Sequence, residues 1–385
     1  MSSATGIESL PIELIHRCID LTRPHDPEHR RARHIIKQLV PLTLVAKRWT
    51  DYAQQCLFEN VMLIGPRDVE KYGDALEMLQ GRFDTCCLII TADVTRPVNR
   101  ALTVAGLEAD AKYAELISRV LSLTTDVQEL RLVPKITVAP ALLLFENLSG
   151  LEKLTLECCF SRLEPDELEN WPFFQLESFT FIPAAGLAQS SQLNMTTMAF
   201  VEYVLSRSMW GTLKHLDWRP GYVDLVQPEL TERARTASES EYLDNWATDT
   251  TGLASVCQSL QSLSLTFSLP ASVDTNVTFS LFPSRCYYLR TFSTDVESLR
   301  MLLQLNLEPT WIQHLILRRV SNILSLLHLL EYHKQAFPAL RTLRVISHEV
   351  SLMGNKEDWA WLEENCESRG IELVREASHQ EANAW

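Results

Sequence analysis

Glycine is scarce in this chain, with only 12 among 385 residues. Loops that wrap a phosphate group depend on glycine, so the scarcity disfavours nucleotide-binding loops. The sequence contains no GxGxxG, P-loop, GxSxG or HExxH motif. The neighbouring carboxylates Glu363 and Glu364 do not face each other on a helix, which weakens them as an acid–base pair. We therefore predict that the protein is not an enzyme and uses no cofactor.

Positive charge is also in short supply. The chain has 35 Lys and Arg residues against 49 Asp and Glu, a net charge of −14 at pH 7. Binding to phosphates or to anionic lipid requires clustered Lys and Arg side chains. We therefore expect neither nucleic acid nor a membrane surface as a partner.

Long apolar runs and paired cysteine motifs are missing as well. The longest apolar run, 139–145, is too short to span a bilayer, and the first residues lack the basic and apolar parts of a signal peptide. The nine cysteines are odd in number and form no CxxC. Buried free thiols in a reducing compartment are the simplest interpretation. We expect an intracellular protein, cytoplasmic and/or nuclear.

Three histidines, His25, His29 and His34, are spaced closely enough to bind a metal if they share a helix face. Pro24 and Pro27 disfavour a regular helix there, and no thiolate accompanies them. We predict no metal site.

A short phrase recurs along the chain, with apolar residues at its first, fourth and sixth positions, although the degenerate copy at 289 ends in Thr294. The eight copies are VQELRL at 127, LEKLTL at 151, LESFTF at 176, LKHLDW at 213, LQSLSL at 260, LRTFST at 289, IQHLIL at 312 and LRTLRV at 340. The period-two alternation at the end of the phrase predicts a strand with one buried face. The shorter intervals between copies resemble those of leucine-rich repeats.

Between the phrases the apolar spacing becomes helical, at 111–123, 198–207, 297–305 and 322–335. Further strands are predicted at 86–91 and 371–374, with a helix between the last two strands that buries Leu362 and one of Trp359 and Trp361. Strands alternating with helices predict parallel neighbours. The fold class is therefore α/β, an irregular leucine-rich-repeat-like solenoid with strands on the concave side and helices outside.

The variable positions of the strands are predicted to line the concave face, the usual binding surface of this architecture. A long insertion, 219–259, is a second candidate for binding because it adds aromatic and acidic residues. The candidate substrate-binding residues are Arg131, Lys153, His215, Asp217, Arg219, Trp246, His314, Arg318 and Arg344. Plain solvation of this face is the alternative.

The N-terminal segment does not carry the repeat. Ser9 caps a predicted helix that begins with Leu10 and Pro11, and a second amphipathic run covers 39–58. The stretch 7–15 (IESLPIELI) and the stretch 42–49 (LTLVAKRW) together resemble an F-box. The two motifs lie farther apart than is usual in that family, because a basic stretch at 23–38 separates them.

The resemblance implies a fungal-type F-box protein whose N-terminal helices bind a Skp-type adaptor and, through it, a cullin scaffold. The repeats would then hold an unknown protein substrate for ubiquitin transfer. The implied adaptor contacts are Leu10, Pro11, Leu14, Ile15, Ile19, Leu42, Leu44, Val45 and Trp49. The alternative is a repeat scaffold in which the F-box-like segment only caps the solenoid.

These interpretations divide the chain into four parts. We expect a flexible N-terminus at 1–6, an F-box-like docking segment at 7–63, the solenoid at 64–376 with its insertion, and a flexible tail at 377–385.

Overall fold

The computed structural model describes residues 11–22, 47–79, 82–92, 104–134, 136–138, 140–160, 172–182, 204–209, 211–218, 256–266, 286–304, 310–318, 320, 322–347 and 356–377. The chain forms two compact units. Unit 1 comprises Met1–Cys158 with Asn170–Phe174, and unit 2 comprises Cys159–Glu169 with Gln175–Trp385.

In the described part of unit 1, two helices come first, and strands then alternate with helical segments. Its helices are α1 (Ile12–Thr22), α2 (Lys47–Glu59), α3 (Gly65–Leu79) and α4 (Val104–Leu123), with short 3-10 turns at Pro140–Leu143 and Glu146–Leu148. Its strands are β1 (Asn60–Ile64), β2 (Cys87–Thr91), β3 (Glu129–Val133), β4 (Thr137–Val138) and β5 (Lys153–Leu156).

The strands β1, β2, β3 and β5 pair side by side and in parallel, in chain order. The register aligns Leu88, Leu130 and Leu154 in one row, and all three are buried. Pleating puts every second side chain on the same face, so the leucines of each phrase build one continuous core.

Unit 2 continues the same alternation. Its strands are β6 (Cys159–Phe160), β7 (Ser178–Phe181), β8 (His215–Trp218), β9 (Ser262–Leu265), β10 (Thr291–Asp295), β11 (His314–Arg318), β12 (Thr342–Ser347) and β13 (Glu372–Ala377). Its helices are α5 (Val296–Gln304), α6 (Ile323–Tyr332) and α7 (Lys356–Ser368). Strands β7 to β13 are parallel neighbours in chain order, the arrangement of a solenoid-like α/β fold.

Local capping explains where two helices of unit 2 begin. The Asp295 carboxylate accepts a hydrogen bond from the Ser298 N–H (2.7 Å), at the start of α5. The Asn322 side chain accepts one from the Ser325 N–H (3.0 Å), at the start of α6. Each cap satisfies a backbone donor that has no partner inside the helix.

The predicted α/β class with parallel strands is confirmed, and all eight phrases contain a strand. The strands predicted at 86–91 and 371–374 are present as β2 and β13. The predicted C-terminal helix is α7, which buries Trp359 and Leu362 and leaves Trp361 exposed. The insertion at 219–259 lies outside the described residues except for its last four.

Candidate partner-binding surfaces

Helices α1 and α2 share a small hydrophobic core in unit 1. Ile15 and Ile19 on α1 are fully buried together with Ala53 and Cys56 on α2. The four-residue interval between the two isoleucines puts both on the same face of α1. These two predicted adaptor contacts therefore hold the helix pair together from inside.

A different face of α1 is apolar and open to solvent. Pro11, Leu14 and Cys18 follow one another at intervals of three and four residues, and all three are exposed. The exposed fraction is 48% for Leu14 and 43% for the neighbouring Ile12. Pro11 also begins the helix, since its carbonyl accepts from the N–H groups of Leu14 and Ile15.

The remaining predicted adaptor contacts cannot be placed on these faces. Leu10, Leu42, Leu44 and Val45 lie outside the described residues. Trp49 belongs to α2, but its side chain lies outside them too.

Helix α2 also contacts the part of unit 1 that runs from α3 to β2, which we call the first repeat. The Phe58 ring stacks on Phe83 at 5.3 Å and on Tyr72 at 5.7 Å between ring centroids. The Asp51 carboxylate forms an ion pair with Arg82 (2.7 Å). A cleft of about 340 Å³ opens beside this contact, lined by His16, Asp51, Tyr52, Gln55, Arg82, Phe83 and Asp84.

We call the side of the strands opposite the buried rows the open face. On the open face of unit 1, Lys153 on β5 lies in register with Glu129 on β3, and their side chains form an exposed ion pair (3.5 Å). Arg131 lies one pleat further along β3 and is half-buried. Lys153 is therefore engaged by a carboxylate of the same face.

On the open face of unit 2 the predicted residues fall into two groups. His215 and Asp217 lie on β8, whereas His314 and Arg318 lie on β11 and Arg344 lies on β12. Between the groups run β9 and β10, whose open-face residues are three serines, Thr291 and Asp295.

The residues of the second group differ in their contacts and exposure. Arg344 forms an ion pair with Glu376 on β13, whereas His314 is exposed, as is His215 of the first group. Arg219 and Trp246 lie outside the described residues. The structure thus brings five of the nine predicted substrate-binding residues onto one open face, but not into one cluster.

Exposed aromatic residues just before β10 and β11 were not among the predicted site residues. Tyr288 is 61% exposed and Trp311 is 68% exposed, and Tyr287 is exposed as well. Tyr288 and Trp311 each directly precede the buried apolar residue that opens a phrase, Leu289 and Ile312. An aromatic residue beside the first core position of a phrase was the available signal.

Cys87 and Cys286 are poor nucleophiles. Burial, together with the nearby Glu129, raises the pKa of Cys87 to about 12. The pKa of Cys286 is raised by a hydrogen bond with Cys257 and by burial. A thiol must ionise to attack, so neither side chain is poised for covalent chemistry.

Two further properties of the described part of the chain bear on its partners. Nowhere in it do three His, Cys, Asp or Glu side chains come close enough to hold a metal ion together. None of its helices combines the length and the apolar character that crossing a bilayer requires.

Two comparisons with known proteins identify no family for this chain. No protein-family model matches the chain. No curated protein matches it either.

Proposed function

We propose that this chain is a non-catalytic substrate-recognition subunit of a Skp–cullin–F-box type ubiquitin ligase. The observation that carries the proposal is the two-sided character of α1. One face, with Ile15 and Ile19, packs on α2, while the face with Pro11 and Leu14 stays apolar and exposed.

An exposed apolar helix face needs an explanation because it costs free energy in water. Burying a leucine-sized side chain contributes roughly 1.5–3 kcal/mol. The exposed residues coincide with the Leu-Pro-x-Glu-Leu motif through which the F-box-like segment resembles its family. Docking of this face on a Skp-type adaptor accounts for both the exposure and the motif.

The repeats supply the second half of the proposal. In unit 2 the open face of the parallel strands carries polar side chains, among them the exposed His215 and His314, and leucine-rich-repeat-like proteins bind partners on such faces. The protein substrate would bind unit 2, with no chemical step performed by this chain.

Co-purification with a recombinant Skp-type adaptor tests the proposal. The variant Leu14→Asp puts a charge on the exposed face and should weaken adaptor retention at least tenfold, since 1.4 kcal/mol corresponds to about a factor of ten. Met78→Asp is the matched control, because Met78 is an exposed apolar residue on α3 of the same unit. It should leave adaptor retention unchanged, and neither variant should shift the unfolding temperature noticeably.

A repeat scaffold capped by the helix pair is the second candidate. The contacts of Phe58 with Phe83 and of Asp51 with Arg82 favour it, because they hold α2 on the first repeat. If the wild-type chain does not retain the adaptor, and Leu14→Asp changes nothing, the ligase proposal is wrong and the scaffold remains.

A further inference from the structure

Tyr288 and Trp311 occupy equivalent positions in adjacent repeats of unit 2. Each lies three residues before the first residue of its strand, and those first residues, Thr291 and His314, are partners in the register of β10 and β11. Neighbouring strands lie about 4.8 Å apart, so the two residues lie on adjacent repeats at the amino-terminal edge of the sheet. Both are more than half exposed.

Two arginines flank these rings. Arg290 directly precedes β10 and Arg341 directly precedes β12, and both side chains are exposed. Backbone hydrogen bonds align Arg290, Gln313 and Arg341 in one row. Gln313 N donates to the Arg290 carbonyl (2.8 Å), and Arg341 N donates to the Gln313 carbonyl (2.8 Å). Two strand spacings separate the arginines, which is about 10 Å.

The charge of this edge is opposite to that of the whole chain. No Asp or Glu occurs in 286–290, 310–314 or 336–342, the segments that carry these four residues, and the row continues on β13 with the exposed Glu372. Within the part of the chain that the structure describes, neither arginine forms an ion pair. The net charge of the chain is −14, so a basic aromatic edge is a local exception. Trp, Tyr and Arg are also the residues that most often dominate binding energy at protein interfaces.

We propose that Tyr288, Trp311, Arg290 and Arg341 form a binding edge for an extended acidic segment of a partner protein. A peptide in the extended polyproline II conformation advances about 3.1 Å per residue with three residues per turn, so carboxylates three residues apart lie on one face and match the roughly 10 Å between the arginines. An apolar residue between them would lie over the two rings. Arginine binds carboxylates through two parallel hydrogen bonds, which explains the preference for acidic over neutral segments.

This inference deepens the proposed function by naming the class of substrate, and it rests on that function only for the fate of the bound protein. The binding itself needs no adaptor. A direct titration therefore tests the inference independently of the adaptor experiment.

Fluorescence anisotropy with two synthetic peptides provides the test. The probe is a fluorescein-labelled decapeptide that repeats Glu-Leu-Thr, which spaces its carboxylates three residues apart, and the matched peptide has Gln in place of every Glu. We expect the full-length protein to bind the Glu peptide at least about tenfold more tightly. Trp311→Ala, and Arg290→Ala combined with Arg341→Ala, should each weaken binding about fivefold or more.

Matched controls keep the result specific to the edge. Trp361 is an exposed tryptophan on α7, and Lys356 is an exposed cation at the start of the same helix. Trp361→Ala and Lys356→Ala should each leave the dissociation constant within about twofold of wild type.

Three results would overturn the inference. One is equal affinity for the Glu and Gln peptides. Another is an equal loss of binding in the control variants. The third is a wild-type chain that elutes as a dimer and becomes monomeric with Trp311→Ala, because the edge would then bind a second copy of this chain. A protein that retains the adaptor but ignores the Glu peptide refutes this inference alone.

Discussion

Two serine hydroxyls at the centre of unit 2 provide a test of the packing. Ser264 on β9 and Ser293 on β10 are direct partners in the parallel register. They point to the open face but are only 8% and 4% exposed. Neither hydroxyl has a hydrogen-bond partner in the described part of the chain. In the same row they lie between the longer side chains of Asp217 and Ile316.

A buried hydroxyl without a partner has lost its hydrogen bonds to water and gained none in the fold. Such a group costs about 1–3 kcal/mol. Removing it by Ser293→Ala, in a side chain otherwise similar in size, should therefore raise the free energy of unfolding by about that amount. For a unit of this length, 1 kcal/mol corresponds to about 2–4 °C in unfolding temperature.

The matched control is another buried strand serine, whose hydroxyl has a partner. Ser347 on β12 is 2% exposed, and its hydroxyl donates to the Val320 carbonyl. Ser347→Ala leaves that carbonyl unpaired, so the same chemical change should lower the free energy of unfolding by about 1 kcal/mol or more.

Calorimetry or denaturant titration of the wild type, Ser293→Ala and Ser347→Ala measures these changes in the free energy of unfolding. Opposite signs for Ser293→Ala and Ser347→Ala support the packing. If both substitutions destabilise the protein by similar amounts, the Ser293 hydroxyl has a partner and the reasoning is wrong.

Three further predictions concern unit 1 and the last repeat. Ile15→Ala should destabilise the helix pair by about 2–4 kcal/mol because it empties a fully buried position, whereas Leu14→Ala should change stability by less than about 0.5 kcal/mol. Denaturant titration compares the two variants, and equal losses of stability would contradict the two-sided character of α1. Burial raises the pKa of Tyr72 from 10.0 to about 12, partly offset by its hydrogen bond with Thr85. The contribution of protonated Tyr72 to the free energy of unfolding is therefore complete below pH 10 and is lost at about 1.4 kcal/mol per pH unit as pH rises towards 12. Tyr72→Phe should flatten this dependence of the free energy of unfolding on pH, and an unchanged dependence would refute the assignment. Gly370 follows α7 with φ of +67°, and a Cβ atom added there would meet no other atom. Gly370→Ala should therefore lower stability by about 1 kcal/mol from backbone strain alone. Thermal unfolding would reveal this loss, and an unchanged unfolding temperature would contradict it.

The repeat was predictable because its signal is local and is written eight times. In each phrase the apolar residues lie at positions that strand pleating puts on one face, so LQSLSL at 260 predicts a strand without reference to its neighbours. The same holds for α7, where Trp359 and Leu362 are three residues apart and both are buried. The degenerate copy at 289 ends in Thr294, which the fold nevertheless buries completely.

The surfaces were less predictable because exposure depends on what packs nearby. The amphipathic stripe of α1 includes both Leu14 and Ile15, and only the position of α2 decides that Ile15 is covered and Leu14 is not. Tyr288 and Trp311 are separated by more than twenty residues in the chain and become neighbours only through the register of β10 and β11.

The sequence alone determined the class of fold, the position of each repeated strand and the parallel order of the strands, because these follow from local periodicity and short connections. Only the tertiary structure decided which apolar side chains of α1 remain exposed and which hydroxyls of the open face lose contact with water. It also decided which arginines flank the aromatic pair. These properties depend on the alignment of residues that are distant in the chain, and neither periodicity nor composition records that alignment.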